Sequence, residues 1–195
     1  IPRVIGRSYA IEGHLHVPEG GAEGVVCAFA DFIGGFALWV DEKGLLNHTY
    51  QFLGVDTYKQ TSTEPIPTGD VTVKMLFEAD QPVPGTGGNV TLFANDKRIG
   101  AGRIDKTISL IFTTYAGMDM GRDNGGVVDL VGSANGICPL GGRPVGQIAQ
   151  DVTVHMEGER LANAQRAQVC RNRRRQQIVG YGDVVEVHRT GVGHR

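Results

Sequence analysis

The segment Ser8–Val17 reads SYAIEGHLHV and decides the fold class, because its apolar and polar side chains alternate. A two-residue period places the apolar side chains on one face of a β-strand. The same period, bounded by Gly, Pro, Asn or Asp, predicts further strands over 23–30, 36–41, 45–52, 57–63, 71–79, 90–94, 98–104 and 107–112, and a closing strand over 148–156. Strands with one apolar and one polar face indicate antiparallel sheets. The sequence therefore predicts an all-β antiparallel β-sandwich of jelly-roll or concanavalin-like type.

Length and composition agree with a single globular domain. The chain has 195 residues, of which 41% are hydrophobic and 21% charged. No apolar run approaches the roughly 18 residues that a membrane-spanning helix needs, which excludes a helical membrane protein. Glycine, at 29 residues, is about twice as frequent as its usual share of roughly 7%, and we interpret it as turn-forming.

Charge is distributed unevenly and divides the chain in two. Residues 1–157 hold 11 basic and 18 acidic residues, whereas residues 158–195 hold eight Arg and three acids. We therefore predict a sandwich domain over 1–157 and a short, irregular or helical, poorly ordered tail over 158–195. Arg171, Arg173, Arg174 and Arg175 would attract phosphates, but no aromatic residues alternate with them, so nucleic-acid binding is the less favoured interpretation.

Cysteine usage indicates the cellular compartment. Cys27, Cys138 and Cys170 are an odd number and form no CxxC pair, which favours a reducing, cytoplasmic location. Cys27 lies in an apolar strand and is expected to be a core residue. The chain opens at Ile1 without the features of a signal peptide, so we expect a fragment or a processed piece.

Candidate metal ligands are few. His14 and His16 lie two apart on one strand and can face one metal ion, but two exposed histidines are the favoured interpretation. Asp119, Asp123 and Asn124 offer oxygen ligands for calcium in a glycine-rich loop, although turn formation is again favoured. No Ser/His/Asp order, glycosidase-like carboxylate pair or HExxH helix can be assembled without arbitrary choice. We therefore predict no catalytic, cofactor-binding or metal-binding residue in this chain.

Several short motifs follow one another along the chain: GRSYAI at 6–11, VPEGGAEGVV at 17–26, GGFALWV at 34–40, YQFLGV at 50–55, PIPTG at 65–69, GGNVTL at 87–92, GRI at 102–104, DMGRDNG at 119–125 and PVGQIAQDVTV at 144–154. This series resembles the C-terminal region of the large bacterial arylsulfatases, while residues 131–143 and 158–195 depart from that pattern. The resemblance implies a sulfuric ester hydrolase in which a formylglycine, made from Cys or Ser, attacks sulfur beside a calcium-like cation. Both parts would belong to a missing N-terminal catalytic domain. The stretch CPLGGR at 138–143 does not fit the formylglycine motif Cys/Ser-x-Pro-x-Arg.

Two functions follow as expectations. The first is a C-terminal accessory sandwich that packs on an arylsulfatase catalytic domain and is catalytically inert by itself. The alternative is a free-standing carbohydrate- or ligand-binding sandwich of lectin or laminin-G type. That alternative would use Trp39, Tyr50 or Tyr58 for stacking, and Asp119 and Asp123 for calcium.

Overall fold

Eleven β-strands make up the regular structure of the part of the chain that the computed structural model describes. That part comprises residues 3–113, 116–121, 123 and 128–129 with their side chains, and 149–156 and 185–188 as backbone. The strands are β1 (Tyr9–Val17), β2 (Gly24–Ala30), β3 (Gly35–Val40), β4 (Leu45–Phe52), β5 (Asp56–Pro65), β6 (Gly69–Ala79), β7 (Gly88–Ala94), β8 (Lys97–Ile104), β9 (Met118–Met120), β10 (Ala149–Met156) and β11 (Val185–His188). None of these residues forms a helix long and apolar enough to cross a bilayer.

The strands form two antiparallel sheets. Sheet A has six strands in the order β11-β10-β1-β6-β7-β8, and sheet B has five in the order β5-β4-β3-β2-β9. The chain passes between the sheets after β1, β5, β8 and β9. The predicted fold class, an antiparallel β-sandwich of jelly-roll or concanavalin-like type, is confirmed. The predicted closing strand is β10, which pairs with β1 on one side and β11 on the other.

Side chains from both sheets meet in one core. The ring of Tyr9 on β1 lies 5.9 Å from that of Phe36 on β3 and 5.4 Å from that of Phe77 on β6, so it joins the two layers. Phe112 packs edge-on against Phe29 at 5.2 Å and against Phe36 at 5.9 Å. Full burial of such a side chain contributes about 1.5–3 kcal/mol, so this aromatic cluster contributes to the stability of the sandwich.

The prediction of a strand over 107–112 is wrong. These residues are irregular, and the next strand of the structure is β9, which the sequence pattern did not reveal. Ile108 and Phe112 are nevertheless buried, and the Ile108 amide donates a hydrogen bond to Tyr50 Oη at 2.9 Å. Their apolar side chains close one end of the sandwich, which explains the strand-like alternation.

The two ends of the sandwich differ in their connections. Antiparallel pairing places the β2–β3, β4–β5 and β6–β7 turns, the β8–β9 segment and the start of β1 at one end, which we call the hairpin end. The other connections, β1–β2, β3–β4, β5–β6 and β7–β8, lie at the opposite end, called the polar end. β11 lies within the segment predicted as a tail. The cluster Arg171–Arg175, Cys138 and Cys170 fall outside the described residues.

Candidate functional site

Trp39 lies on the outer face of sheet B, where a lectin-type site would need it exposed. Only 6% of its surface is accessible, because it packs in a small cluster with Val25, Ala28, Ala37 and Val128. Its indole Nε1 donates to Thr49 Oγ1 at 3.2 Å, and Lys59 Nζ lies 4.5 Å from the ring centroid. Trp39 therefore has no free ring face for a sugar.

A polar network holds residues 128 and 129 on this outer face. Thr49 Oγ1 donates to Asp129 Oδ2 at 2.8 Å, and Lys59 Nζ lies 3.3 Å from the same oxygen. Gln51 Nε2 donates to the Val128 carbonyl at 2.8 Å. The chain thus covers this part of the sheet with its own residues. The sequence did not predict the network, because its partners lie about eighty residues apart with no local pattern linking them.

Two of the three residues considered for calcium, Asp119 and Asp123, lie within the described ranges. Asp123 is 1% exposed, and its Oδ2 accepts a hydrogen bond from the Val128 amide at 2.9 Å, as the turn-forming interpretation expects. Asp119 lies on β9 opposite Ala28. Asn124 falls outside the described residues. Within the described ranges, no group of three His, Cys, Asp or Glu side chains is placed to bind a metal ion.

The two histidines of β1 are exposed and contact different residues of β6. His14 Nδ1 lies 3.0 Å from Thr72 Oγ1, and His16 Nδ1 lies 2.8 Å from Asp70 Oδ1. The structure therefore does not bring the two imidazoles to one shared ligand. Cys27 is fully buried, and burial raises the pKa of its thiol to about 12, so this residue belongs to the core as predicted.

The two tyrosines proposed for stacking have different environments. Tyr50 is 2% exposed, and burial raises the pKa of its hydroxyl well above the usual value. Tyr58 is half-buried near the hairpin end. Its pKa is raised by partial desolvation and then by the negative charges of Asp56 and Asp105. Of the three aromatic residues considered, only Tyr58 offers partly accessible surface beside carboxylates.

Exposed apolar side chains concentrate at the hairpin end. They come from the β2–β3, β4–β5 and β6–β7 turns and the β8–β9 segment, and the most accessible are Leu110 at 87%, Val55 at 79% and Ile111 at 68%. We call the set the hairpin-end surface; it consists of Phe32, Ile33, Leu53, Val55, Val83, Leu110 and Ile111. Every large hydrophobic side chain found exposed within the described ranges belongs to it. Exposed apolar side chains that gather at one end of a domain mark an interaction site more often than scattered single residues do.

The turns that carry this surface are held in place by hydrogen bonds. Asp31 Oδ1 accepts from the Ile33 amide at 2.8 Å and from the Gly34 amide at 3.3 Å. The Val55 amide donates to the Phe52 carbonyl at 3.0 Å, which closes the β4–β5 turn. Since Asp31 is itself buried, its turn is fixed to the body of the sandwich. The apolar side chains are therefore presented on a preorganised backbone.

The polar end carries none of the large apolar side chains found exposed within the described ranges. Its turns carry exposed charged residues, namely Glu19, Glu42, Lys43, Asp96 and Lys97. The exposed large apolar side chains of the described ranges thus lie at the hairpin end, which also carries the exposed charged residues Asp80, Asp105 and Lys106. This difference makes the hairpin-end surface the candidate functional site.

Comparisons with known proteins leave the family open. No protein-family model matches the chain, and no curated protein matches it. Among solved structures, the CBM40 of the Ruminococcus gnavus IT-sialidase is 14% identical, with a TM-score of 0.48 over 78% of this chain and 76% of that chain. A SAP-like pentraxin from Limulus polyphemus is 12% identical, with a TM-score of 0.39 over 76% of this chain and 63% of that one. Such distant similarity carries no functional argument, so function must be argued from the residues of this chain.

Proposed function

We propose that this chain is a non-catalytic binding module whose β-sandwich presents the hairpin-end surface to a partner. The observation that carries the proposal is the location of all the exposed large apolar side chains, identified in the described ranges, at one end. Burying a fully exposed Leu, Ile or Val contributes about 1.5–3 kcal/mol, so a few such contacts supply substantial binding energy.

The chemistry of the surface favours a macromolecular partner with an apolar face. Phe32 is its aromatic member, and the other six side chains are aliphatic. Sugars are held mainly by aromatic stacking and polar contacts, whereas aliphatic surfaces pair with other apolar surfaces. This composition supports docking on another protein.

A second candidate function is carbohydrate or small-ligand binding at Tyr58. The pKa of Tyr58 is raised first by desolvation and then by the charges of Asp56 and Asp105, and Asp105 also lies 3.2 Å from Arg103 Nε. An aromatic ring flanked by carboxylate acceptors suits a hydroxyl-rich ligand. Trp39 and Tyr50 are buried and take no part in this candidate.

The ordered motifs from GRSYAI to PVGQIAQDVTV support a more specific proposal. In this proposal the module is the C-terminal accessory domain of an arylsulfatase, and its partner is the N-terminal catalytic domain. Formylglycine and calcium would belong to that partner. The hairpin-end surface agrees with such a role, because an accessory domain needs a docking face and no nucleophile.

A titration with the apolar dye bis-ANS tests the binding surface. We expect the native chain to bind the dye, and the variant Val55→Ser/Leu110→Ser to lose most of the fluorescence. Both side chains are highly exposed, so the variant should retain its stability to within about 0.5 kcal/mol. The matched control is Glu42→Ser/Lys43→Ser at the polar end, which leaves the net charge unchanged. Equal dye binding by both variants would overturn the proposal.

A glycan array tests the second candidate. Binding at Tyr58 predicts a glycan signal that is lost in Tyr58→Ala and kept in Val55→Ser/Leu110→Ser. A signal abolished by chelator would instead require a metal ion. Absence of any signal, together with specific bis-ANS binding, leaves protein docking as the function.

A further inference from the structure

We propose that the outer face of sheet A binds a zinc ion through four residues, Glu12 and His14 of β1, Asp151 of β10 and His188 of β11. The site is separate from the hairpin-end surface, and the proposal goes beyond the binding function. Glu12 and His14 are among the described side chains, where no group of three metal-ligating residues occurs. The strand register supplies the other two residues.

Glu12 and His14 hold two donor atoms at nearly the spacing that a zinc ion needs. His14 Nε2 lies 3.7 Å from Glu12 Oε1. Two ligand atoms of a tetrahedral zinc ion, with bonds of about 2.0–2.1 Å, are about 3.3 Å apart. The side chain of His14 is 54% exposed and that of Glu12 is 28% exposed, so an ion can reach both from solvent. A small side-chain movement would therefore bring both atoms onto one ion.

Thr72 on β6 orients the imidazole ring of His14. Its Oγ1 lies 3.0 Å from His14 Nδ1. When this oxygen accepts the Nδ1 proton, the lone pair of Nε2 is left for a metal ion. Zinc-bound histidines usually donate their second ring nitrogen to such an acceptor, which fixes both the tautomer and the ring. Thr72 is therefore a positioning residue of the proposed site.

The strand register brings the two remaining residues to the same row of the sheet. Asp151 is paired with His14, and His188 is paired with Asp151. Directly paired residues of antiparallel strands share one face, with Cα atoms about 4.5–5.5 Å apart. The Cα atoms of His14 and His188 are thus separated by two strand spacings, or about 10 Å. Two imidazoles and two zinc–nitrogen bonds of about 2 Å span such a distance.

The types of ligand select zinc over the hard cations. Ca²⁺ and Mg²⁺ take oxygen ligands, whereas imidazole nitrogen suits zinc and its neighbours among the transition metals. The two carboxylates, Glu12 and Asp151, balance the double positive charge of the ion. Because the ligands come from three strands that are adjacent in the sheet, a bound ion would tie β10 and β11 to β1. The spacing along the sequence could not reveal such a site, since its ligands lie up to 176 positions apart.

Isothermal titration of the metal-free chain with zinc chloride tests the site, on protein made without a histidine tag. We expect one zinc ion per chain, with a Kd below about 100 μM. His14→Gln, Asp151→Asn and His188→Gln should each weaken binding at least about tenfold, and Thr72→Val about tenfold.

His16→Gln is the matched control for His14→Gln. His16 is the next exposed histidine of β1, and its Nδ1 lies 2.8 Å from Asp70 Oδ1. The register between β1 and β10 ends at Leu15 and Ala149, so His16 lies beyond the proposed row. This control should bind zinc as tightly as wild type does.

Urea unfolding without zinc separates the loss of a ligand from the loss of the fold. Since His14 is exposed, His14→Gln should unfold at the same urea concentration as wild type. Thr72→Val keeps all four ligands and decides the result for any ligand variant that unfolds earlier.

Three results would overturn the proposal. The first is a Kd above about 100 μM for the native chain. The second is zinc binding that His14→Gln leaves unchanged, or that His16→Gln weakens equally. The third is zinc binding that neither Asp151→Asn nor His188→Gln weakens, because the strand register would then supply no ligand.

Discussion

His48 is a buried histidine on β4, and it predicts an acid-sensitive stability. Its Nδ1 lies 2.8 Å from Gln60 Oε1, while Gln60 Nε2 donates to the Arg103 carbonyl on β8 at 3.2 Å. Because Gln60 Oε1 is an acceptor, His48 must carry its proton on Nδ1. Its Nε2 is buried and has no hydrogen-bond partner among the residues that the structure describes. Protonation would create a buried charge and an unpaired donor, so burial lowers the pKa of His48 to about 4.

The size of this pH effect on stability follows from the linkage between protonation and folding. A histidine of the unfolded chain has a pKa of about 6.5, and the difference from about 4 corresponds to about 3 kcal/mol. As the pH falls below about 6.5, the unfolded chain takes up a proton that the native state does not. The contribution of neutral His48 to the free energy of unfolding is therefore complete above pH 6.5, falls between pH 6.5 and 4, and is lost below pH 4.

Urea unfolding at pH 7.5 and at pH 4 measures this effect. We expect wild type to lose about 3 kcal/mol more than His48→Asn across this interval, because Asn keeps a donor toward Gln60 and does not titrate. His14→Asn is the matched control, since His14 is exposed on the sandwich surface. This control should lose as much stability between pH 7.5 and pH 4 as wild type does. An equal loss for wild type and His48→Asn would refute the buried, neutral state of His48.

Two further substitutions test the packing of the sheets and of the outer face. Gly102→Ala would place a Cβ 2.5 Å from Gln60 Cγ, so we expect it to cost about 1–3 kcal/mol in urea unfolding. Gly20→Ala, which meets open space, should stay within about 0.5 kcal/mol of wild type, and equal stabilities would contradict the close approach. Thr49→Val removes both the acceptor of Trp39 Nε1 and the donor to Asp129 Oδ2, and we expect a cost of about 1–3 kcal/mol. Trp39 is the single tryptophan, so an unchanged emission spectrum together with unchanged stability would argue against that bond.

Alternation predicted the fold because it reflects a physical constraint on every strand. In β6 the side chains of Val71, Val73, Met75 and Phe77 are all buried, while the residues between them are less so. The pattern of a two-sided sheet could therefore be inferred without tertiary information. It was wrong over 107–112, because a segment that closes the end of a sandwich also buries apolar side chains at intervals.

The candidate site could be predicted less well from the sequence than the fold could. Trp39 and Tyr50 have the residue types of a sugar site, but burial depends on packing partners distant in sequence, such as Val128 and Ile108. The hairpin-end surface had a weak local signal, since apolar residues such as Leu53 occur within turns. Only the antiparallel topology shows that these turns lie at one end. Their combination into a surface is a property of the fold.

Photo-incorporation of bis-ANS into the native chain, mapped by peptide mass spectrometry, locates the surface that binds the dye. We expect the label to concentrate in peptides containing residues 31–34, 53–55 and 108–113, and Val55→Ser/Leu110→Ser to reduce it there. Labelling spread evenly over the chain, or concentrated at the turns 41–44 and 95–96 of the polar end, would contradict a binding module that acts through its hairpin end.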